Sequence, residues 1–217
     1  MKRIFSIIVL CMAVLALLKP ANANLITTIP SGATTTTFTV TGFKSGLTSD
    51  TVNGFTITGL DFQDGGGGYS LGSNGAWSSL SFLATNGSAT SFFRIDLGAL
   101  YSTAGGFFNY APGSFPGSDS TLTAIGADGT TVLETDDLVA LAPISTPGAS
   151  NAGAFRGITL GAPTIRFLQV SGAATLEHTI TATSPAGPTV PEPSTLLLVL
   201  LPLAGLGLYV RRRGQLR

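Results

Sequence analysis

Between Thr34 and Thr183 apolar residues recur at every second position, in short runs separated by Gly, Asn, Asp and Pro. Phe38 and Val40 alternate with Thr37, Thr39 and Thr41. Phe55 and Ile57 alternate with Thr56 and Thr58, and Leu80 and Phe82 with Ser79 and Ser81. Phe93, Ile95 and Leu97 alternate with Phe92, Arg94 and Asp96. Ile165, Phe167 and Gln169 alternate with Arg166, Leu168 and Val170, and Leu176, His178 and Ile180 close the series. Residues two apart share one face of a strand, so this period selects half-buried strands and excludes amphipathic helices. The β-branched and aromatic bias of the runs agrees. Asp128-Gly129 and Asn86-Gly87 predict tight turns, since both pairs tolerate the positive φ of a type I′ hairpin. Many short strands at regular spacing predict an all-β antiparallel sandwich or jelly roll. Asn24 to Gly32 is expected to be an exposed lead-in.

Charge limits what such a body can bind. Only 10% of residues are charged, and formal net charge is zero. Between Asn24 and Thr189, however, four basic residues (Lys44, Arg94, Arg156, Arg166) face ten acidic ones, a net −6. That balance argues against nucleic acid and anionic lipid as partners. Cys11 is the single cysteine, and it lies in the apolar N-terminal segment. The β-region therefore has no disulfide, thiolate nucleophile or cysteine metal ligand.

The two ends are of another kind. Lys2 and Arg3 precede an apolar run from Ile4 to Leu18, Pro20 ends it, and Ala21-Asn22-Ala23 forms a small-x-small site. Residues 1–23 read as a signal peptide cut after Ala23, with Ala21 and Ala23 as the recognition residues. The implied partners are the secretion translocon and signal peptidase. A linker at 184–189 follows the domain at 24–183. The segment 190–217 then runs Val190-Pro191-Glu192-Pro193-Ser194, a Leu-rich stretch, and Arg211-Arg212-Arg213. Its apolar part, 196–210, is about 22 Å long as a helix, short of a hydrocarbon core of about 30 Å. Pro202, Gly205 and Gly207 weaken it further. It suits a single transmembrane helix that holds the membrane transiently, with the arginines as a cytoplasmic stop-transfer cluster.

This tail, over about its last 28 residues, resembles the PEP-CTERM sorting signal: Pro191-Glu192-Pro193 directly before the span, arginines directly after. The resemblance implies recognition of Pro191, Glu192 and Pro193 by an exosortase. It further implies passage through the inner membrane of a Gram-negative bacterium that makes exopolysaccharide, and a cell-surface or extracellular fate in a biofilm matrix. Two prolines keep such a motif extended, the form in which proteases bind peptides. Residues Phe107 to Ala182 also look like the last hairpins of jelly-roll ectodomains in other PEP-CTERM proteins, similar to galactose-binding-like sandwiches. That likeness favours a jelly-roll-like sandwich and suggests a carbohydrate ligand.

Candidate chemistry inside the domain is sparse. Asp61 and Asp64, before the run Gly65 to Gly68, form one candidate oxygen-ligand set for a structural calcium. Asp136 and Asp137 form another, calcium wanting six to eight oxygens. No other cofactor is expected. His178, the single histidine, has no Gly-x-Ser-x-Gly elbow to serve and is expected on a strand surface. Glu134 and Glu177 are expected on polar faces, not as a glycosidase pair. Trp77, Tyr69, Tyr101 and Tyr110 are either a sugar-stacking platform or packing residues, with Trp77 expected in the core. The Phe107 to Pro112 segment is expected to pack the sheet. The resulting expectation is a non-enzymatic surface or matrix protein that binds exopolysaccharide. The alternatives are a secreted carboxylate- or metal-dependent hydrolase and a self-associating coat protein.

Overall fold

The computed structural model describes residues 24–183, apart from 79, 114–118, 149 and 173. The signal peptide, linker, transmembrane segment and arginine cluster read from the sequence lie outside these residues. Among the described residues no helix is long and apolar enough to cross a membrane.

The first eight strands are β1 (Asn24–Ile26), β2 (Ala33–Thr37), β3 (Lys44–Val52), β4 (Phe55–Gly66), β5 (Tyr69–Ser70), β6 (Ala76–Trp77), β7 (Ser81–Thr85) and β8 (Phe92–Tyr101). The rest are β9 (Thr103–Tyr110), β10 (Thr121–Ile125), β11 (Val132–Asp137), β12 (Ser150–Asn151), β13 (Ala154–Thr159), β14 (Ile165–Ser171), β15 (Thr175–Glu177) and β16 (Thr179–Thr183). One short helix, α1 (Leu138–Leu141), follows β11. Thirteen strands form one sheet in the order β1-β13-β9-β15-β7-β4-β8-β14-β10-β11, with β3 on β4 and β16 between β9 and β2. The all-β antiparallel expectation is met. The sandwich is realised as a single, nearly closed, barrel-like sheet rather than as two separate ones. β5, β6 and β12 make a small second sheet, in which the β6–β12 pair is parallel.

Strand β4 is the reason one sheet makes two walls. Its residues 56–60 pair with β8, and its residues 62–66 pair with β7. The change of partner falls on Asp61, whose φ is +51°. The Asp61 carbonyl accepts from Ser91 Oγ at 2.6 Å and from the Asn86 amide at 3.2 Å. The loop between β7 and β8 therefore wedges into the corner and fixes it. The two walls then close on one another, with β10 against β13 and β14 against β9.

Two cores result. The main one lies between the walls and includes Phe38, Ile57, Phe62, Phe93, Ile95, Phe108, Leu122 and Leu168. A satellite core of Leu71, Trp77, Phe82, Ala84 and Leu176 lies on the outer face of β7 and β15, together with the small sheet. Asn74 locks the short 3-10 turn Gly72–Asn74 to β9. Its amide donates to Asn109 Oδ1, to the Tyr110 carbonyl and to the Ile144 carbonyl, at 3.0 to 3.1 Å.

Several local expectations need correction. Asn24 to Ile26 is not a free lead-in, because β1 pairs with β13. Phe38 and Val40 lie beyond the end of β2, where the Phe38 amide donates to the His178 carbonyl. The Asp128-Gly129 loop has positive φ only at Gly129. Asp128 instead accepts from the Thr130 and Thr131 amides, closing an Asx-type turn. The type I′ hairpin lies elsewhere, at Asn53-Gly54, where both φ values are positive and Val52 pairs with Phe55.

Candidate functional site

Four features of the domain carry polar or ionisable chemistry. The first is the row of side chains on the inner face of β7, β15 and β9. Glu177 stands opposite Leu83 on one side and Phe108 on the other, so it points into the main core. It is fully buried, and neither carboxylate oxygen has a hydrogen-bond partner among the described residues. Burial raises its pKa well above the ordinary value. Space for it exists because Gly106 lies beneath, where a Cβ would fall 2.3 Å from Glu177 Oε1. The expectation of a solvated strand glutamate is therefore overturned. The same inner face holds Arg156, opposite Gly106, with its guanidinium donating to the carbonyls of Ala142, Phe155 and Pro143.

The second feature is the aromatic pocket around His178. Its ring centroid lies 5.6 Å from those of both Trp77 and Phe107. His178 is buried, and its two ring nitrogens have no partner among the described residues. Desolvation lowers its pKa. It is therefore not the surface histidine expected from the sequence. β15 and β16 are one strand interrupted at His178: before it the strand pairs with β7, after it with β2, while β9 runs along the other edge. The irregularity breaks the alternation that a continuous strand would show.

The third feature is a partly open cleft of about 170 Å³ lined by Thr34, Thr36, Phe55, Leu97, Tyr101, Ile180 and Ala182. It combines aromatic and aliphatic walls with hydroxyls. Of the four aromatic residues singled out in the sequence, only Tyr101 lines it. Trp77 is buried in the satellite core, Tyr69 packs edge-on against Phe82, and Tyr110 is buried with its hydroxyl accepting from the Ile144 amide.

The fourth is an ionic cluster at the far end of the β3–β4 hairpin. Lys44 Nζ lies 3.2 Å from Asp64 Oδ2 and 2.5 Å from Asp50 Oδ2. Asp64 is fully buried, while the Lys44 side chain is 47% exposed. Burial, followed by the neighbouring Asp50 carboxylate, raises the pKa of Asp64 to about 6. The protonated form of the neighbouring Asp64 carboxyl, and then Lys44, lower that of Asp50 to about 2. Nothing in the apolar periodicity pointed to this cluster. Counting back from the Asn53-Gly54 turn would have put Lys44 opposite Gln63, but two register shifts move it to Asp64.

Of the aspartates considered for calcium, Asp61, Asp64 and Asp137 are each engaged by other groups of the fold. Asp61 and Asp64 belong to β4, not to a glycine loop. The Asp61 carboxylate accepts from Asn86 Nδ2, and Asp64 meets Lys44. Asp137 caps α1 by accepting from the Val139 and Ala140 amides. Asp136 is buried opposite Leu122, with its pKa raised by desolvation and by Glu134. Among the described residues no group of three or more His, Cys, Asp or Glu is gathered as a metal-ligand set.

The residues expected to serve sorting and cleavage, Ala21, Ala23, Pro191, Glu192, Pro193, Arg211, Arg212 and Arg213, lie outside the described residues. No curated protein and no solved structure matches the chain. A family profile does match over residues 189–213, the stretch that holds Pro191-Glu192-Pro193, the apolar run and the arginines. The chain carries a PEP-CTERM protein-sorting motif.

Proposed function

We propose that this is an exported cell-surface or matrix protein, processed by an exosortase, whose β-domain binds exopolysaccharide and catalyses no reaction. The observation that carries the reading is the sorting motif at residues 189–213. Pro191, Glu192 and Pro193 are the recognition residues, and the arginines stop transfer while the peptide is presented. Mass spectrometry of the protein recovered from its native host tests this part. Loss of residues 1–23 and of the segment after the Pro191 region supports it, and intact ends in the cytoplasm refute it.

The carbohydrate part is favoured by the cleft between β2, β4, β8 and β16. Tyr101 and Phe55 offer apolar faces to a sugar ring, and Thr34 and Thr36 offer hydroxyls. The inner-wall carboxylate, Glu177, is closed to any substrate. Affinity electrophoresis in gels containing the host's exopolysaccharide tests the binding. Retardation that Tyr101→Ala weakens supports it, and unretarded migration refutes it.

Self-association is a second reading, favoured by the sheet edge at β11 and α1. Val132 and Leu141 are 59% and 63% exposed there. Exposed apolar edges recruit further strands. Size-exclusion chromatography across a range of concentrations separates a coat-forming protein from a monomeric binder.

A further inference from the structure

Lys44, Asp64 and Asp50 are arranged as more than a surface ion pair. Lys44 and Asp64 are cross-strand partners, 20 residues apart in the chain, and their amine and carboxyl oxygen stand 3.2 Å apart. The Asp64 carboxyl is fully buried, and its other oxygen, Oδ1, has no partner among the described residues. Asp50 lies on the other side of the same amine, its Oδ2 2.5 Å from Lys44 Nζ. In water an amine and a carboxylic acid ionise each other and do not condense. Burial of Asp64 favours its protonated, electrophilic form, and Asp50 remains ionised beside it. An amine, a buried carboxyl within contact distance that takes up its proton near pH 6, and a second carboxylate on the amine are the parts an amide-forming reaction needs.

We propose that Lys44 and Asp64 are joined by a spontaneous intramolecular isopeptide bond, with Asp50 as the proton acceptor. The Asp50 carboxylate takes one proton from the Lys44 ammonium, and the freed Nζ lone pair attacks Cγ of the protonated Asp64 carboxyl, forming the N–C bond. The C–O bond to the Asp64 hydroxyl then breaks, and that hydroxyl takes a second proton from the nitrogen and leaves as water. The products are an amide, one water and a protonated Asp50, and no further reagent is consumed. The bond ties β3, which among the described strands pairs only with β4, covalently to its neighbour. It serves a domain whose residues 24–183 contain no cysteine.

The test uses the full chain, denatured after purification and digested with trypsin. Lys44 is the only basic residue between Pro20 and Phe93. A linked chain gives a fragment that runs unbroken through Lys44 to Arg94 and is one water lighter than its sequence. After further chymotryptic cleavage, the piece holding Lys44 stays joined to the piece holding Asp64. Lys44→Arg is expected to abolish the link, and Asp50→Asn to slow its formation on the order of a hundredfold, with unchanged circular dichroism. Cleavage after Lys44 at the full sequence mass overturns the proposal. So does a lost water confined to the fragment after Lys44, which marks a succinimide at Asp64-Gly65. Linkage at the wild-type rate in Asp50→Asn overturns the role given to Asp50.

Discussion

Two neighbouring residues, Glu177 and His178, enter two different cores, and the cores treat them differently. The main core surrounds Glu177 with Leu83, Phe108 and the bare backbone of Gly106, and leaves both its oxygens without partners among the described residues. The satellite core holds His178 between aromatic rings, close to the surface. Each site favours the uncharged form, but the charges have opposite sign, so the two cores respond to pH in opposite directions. Folded Glu177 keeps its proton well above the ordinary value of 4.5. Its contribution is complete below that value and is lost as pH rises past it. Folded His178 resists protonation below the ordinary value of 6.5. Its contribution is complete above that value and is lost as pH falls through the lowered folded one.

The largest effects come from removing the aromatic body of either core. Phe108→Ala and Trp77→Ala are each expected to cost about 3–5 kcal/mol in denaturant unfolding. Only Trp77→Ala should also return the His178 titration, read by NMR, toward its ordinary value. A similar return in Phe108→Ala would show that the cores are not separate. Next comes Asn74→Ala, which strips three acceptors of their shared donor and is expected to cost about 1–3 kcal/mol. If the satellite core is held on through this side chain, the variant should expose Trp77 fluorescence to quencher before global unfolding. Glu177→Gln is expected to flatten the loss of stability on the alkaline side while leaving the acid side unchanged. His178→Phe is expected to do the reverse, with a neutral-pH change of about 1 kcal/mol or less. Thermal unfolding across pH reads both, and matching profiles in the two variants would remove the distinction between the cores.

The half of the fold that faces water on one side was legible in the sequence. β8 reads directly, because Phe93, Ile95 and Leu97 are buried while Phe92, Arg94 and Asp96 are partly exposed. β9 does not read, because seven of its eight residues are buried and alternation vanishes when both faces are covered. Gly105 and Gly106 also look like loop residues in the sequence. Their actual role is close approach, since a Cβ on Gly105 would fall 2.3 Å from the Arg156 carbonyl. β3 was missed for another reason: Lys44-Ser45-Gly46 and Thr48-Ser49-Asp50 are polar, as befits a strand with one free edge. In the candidate site, the sorting motif was legible because it is a linear signal. Glu177, His178 and the Lys44 cluster were not, because a broken strand and two register shifts decide where those side chains point.

The placement of β16 has a mechanical consequence. It is the last described strand, and it runs between β2 and β9, with Thr183 opposite Ala33 and Ala182 opposite Ala104. A force applied at Thr183 along the axis of β16 acts on its pairings with β2 and with β9 together. The load is shared by both rows of hydrogen bonds at once, so the domain resists in shear instead of unzipping one bond at a time.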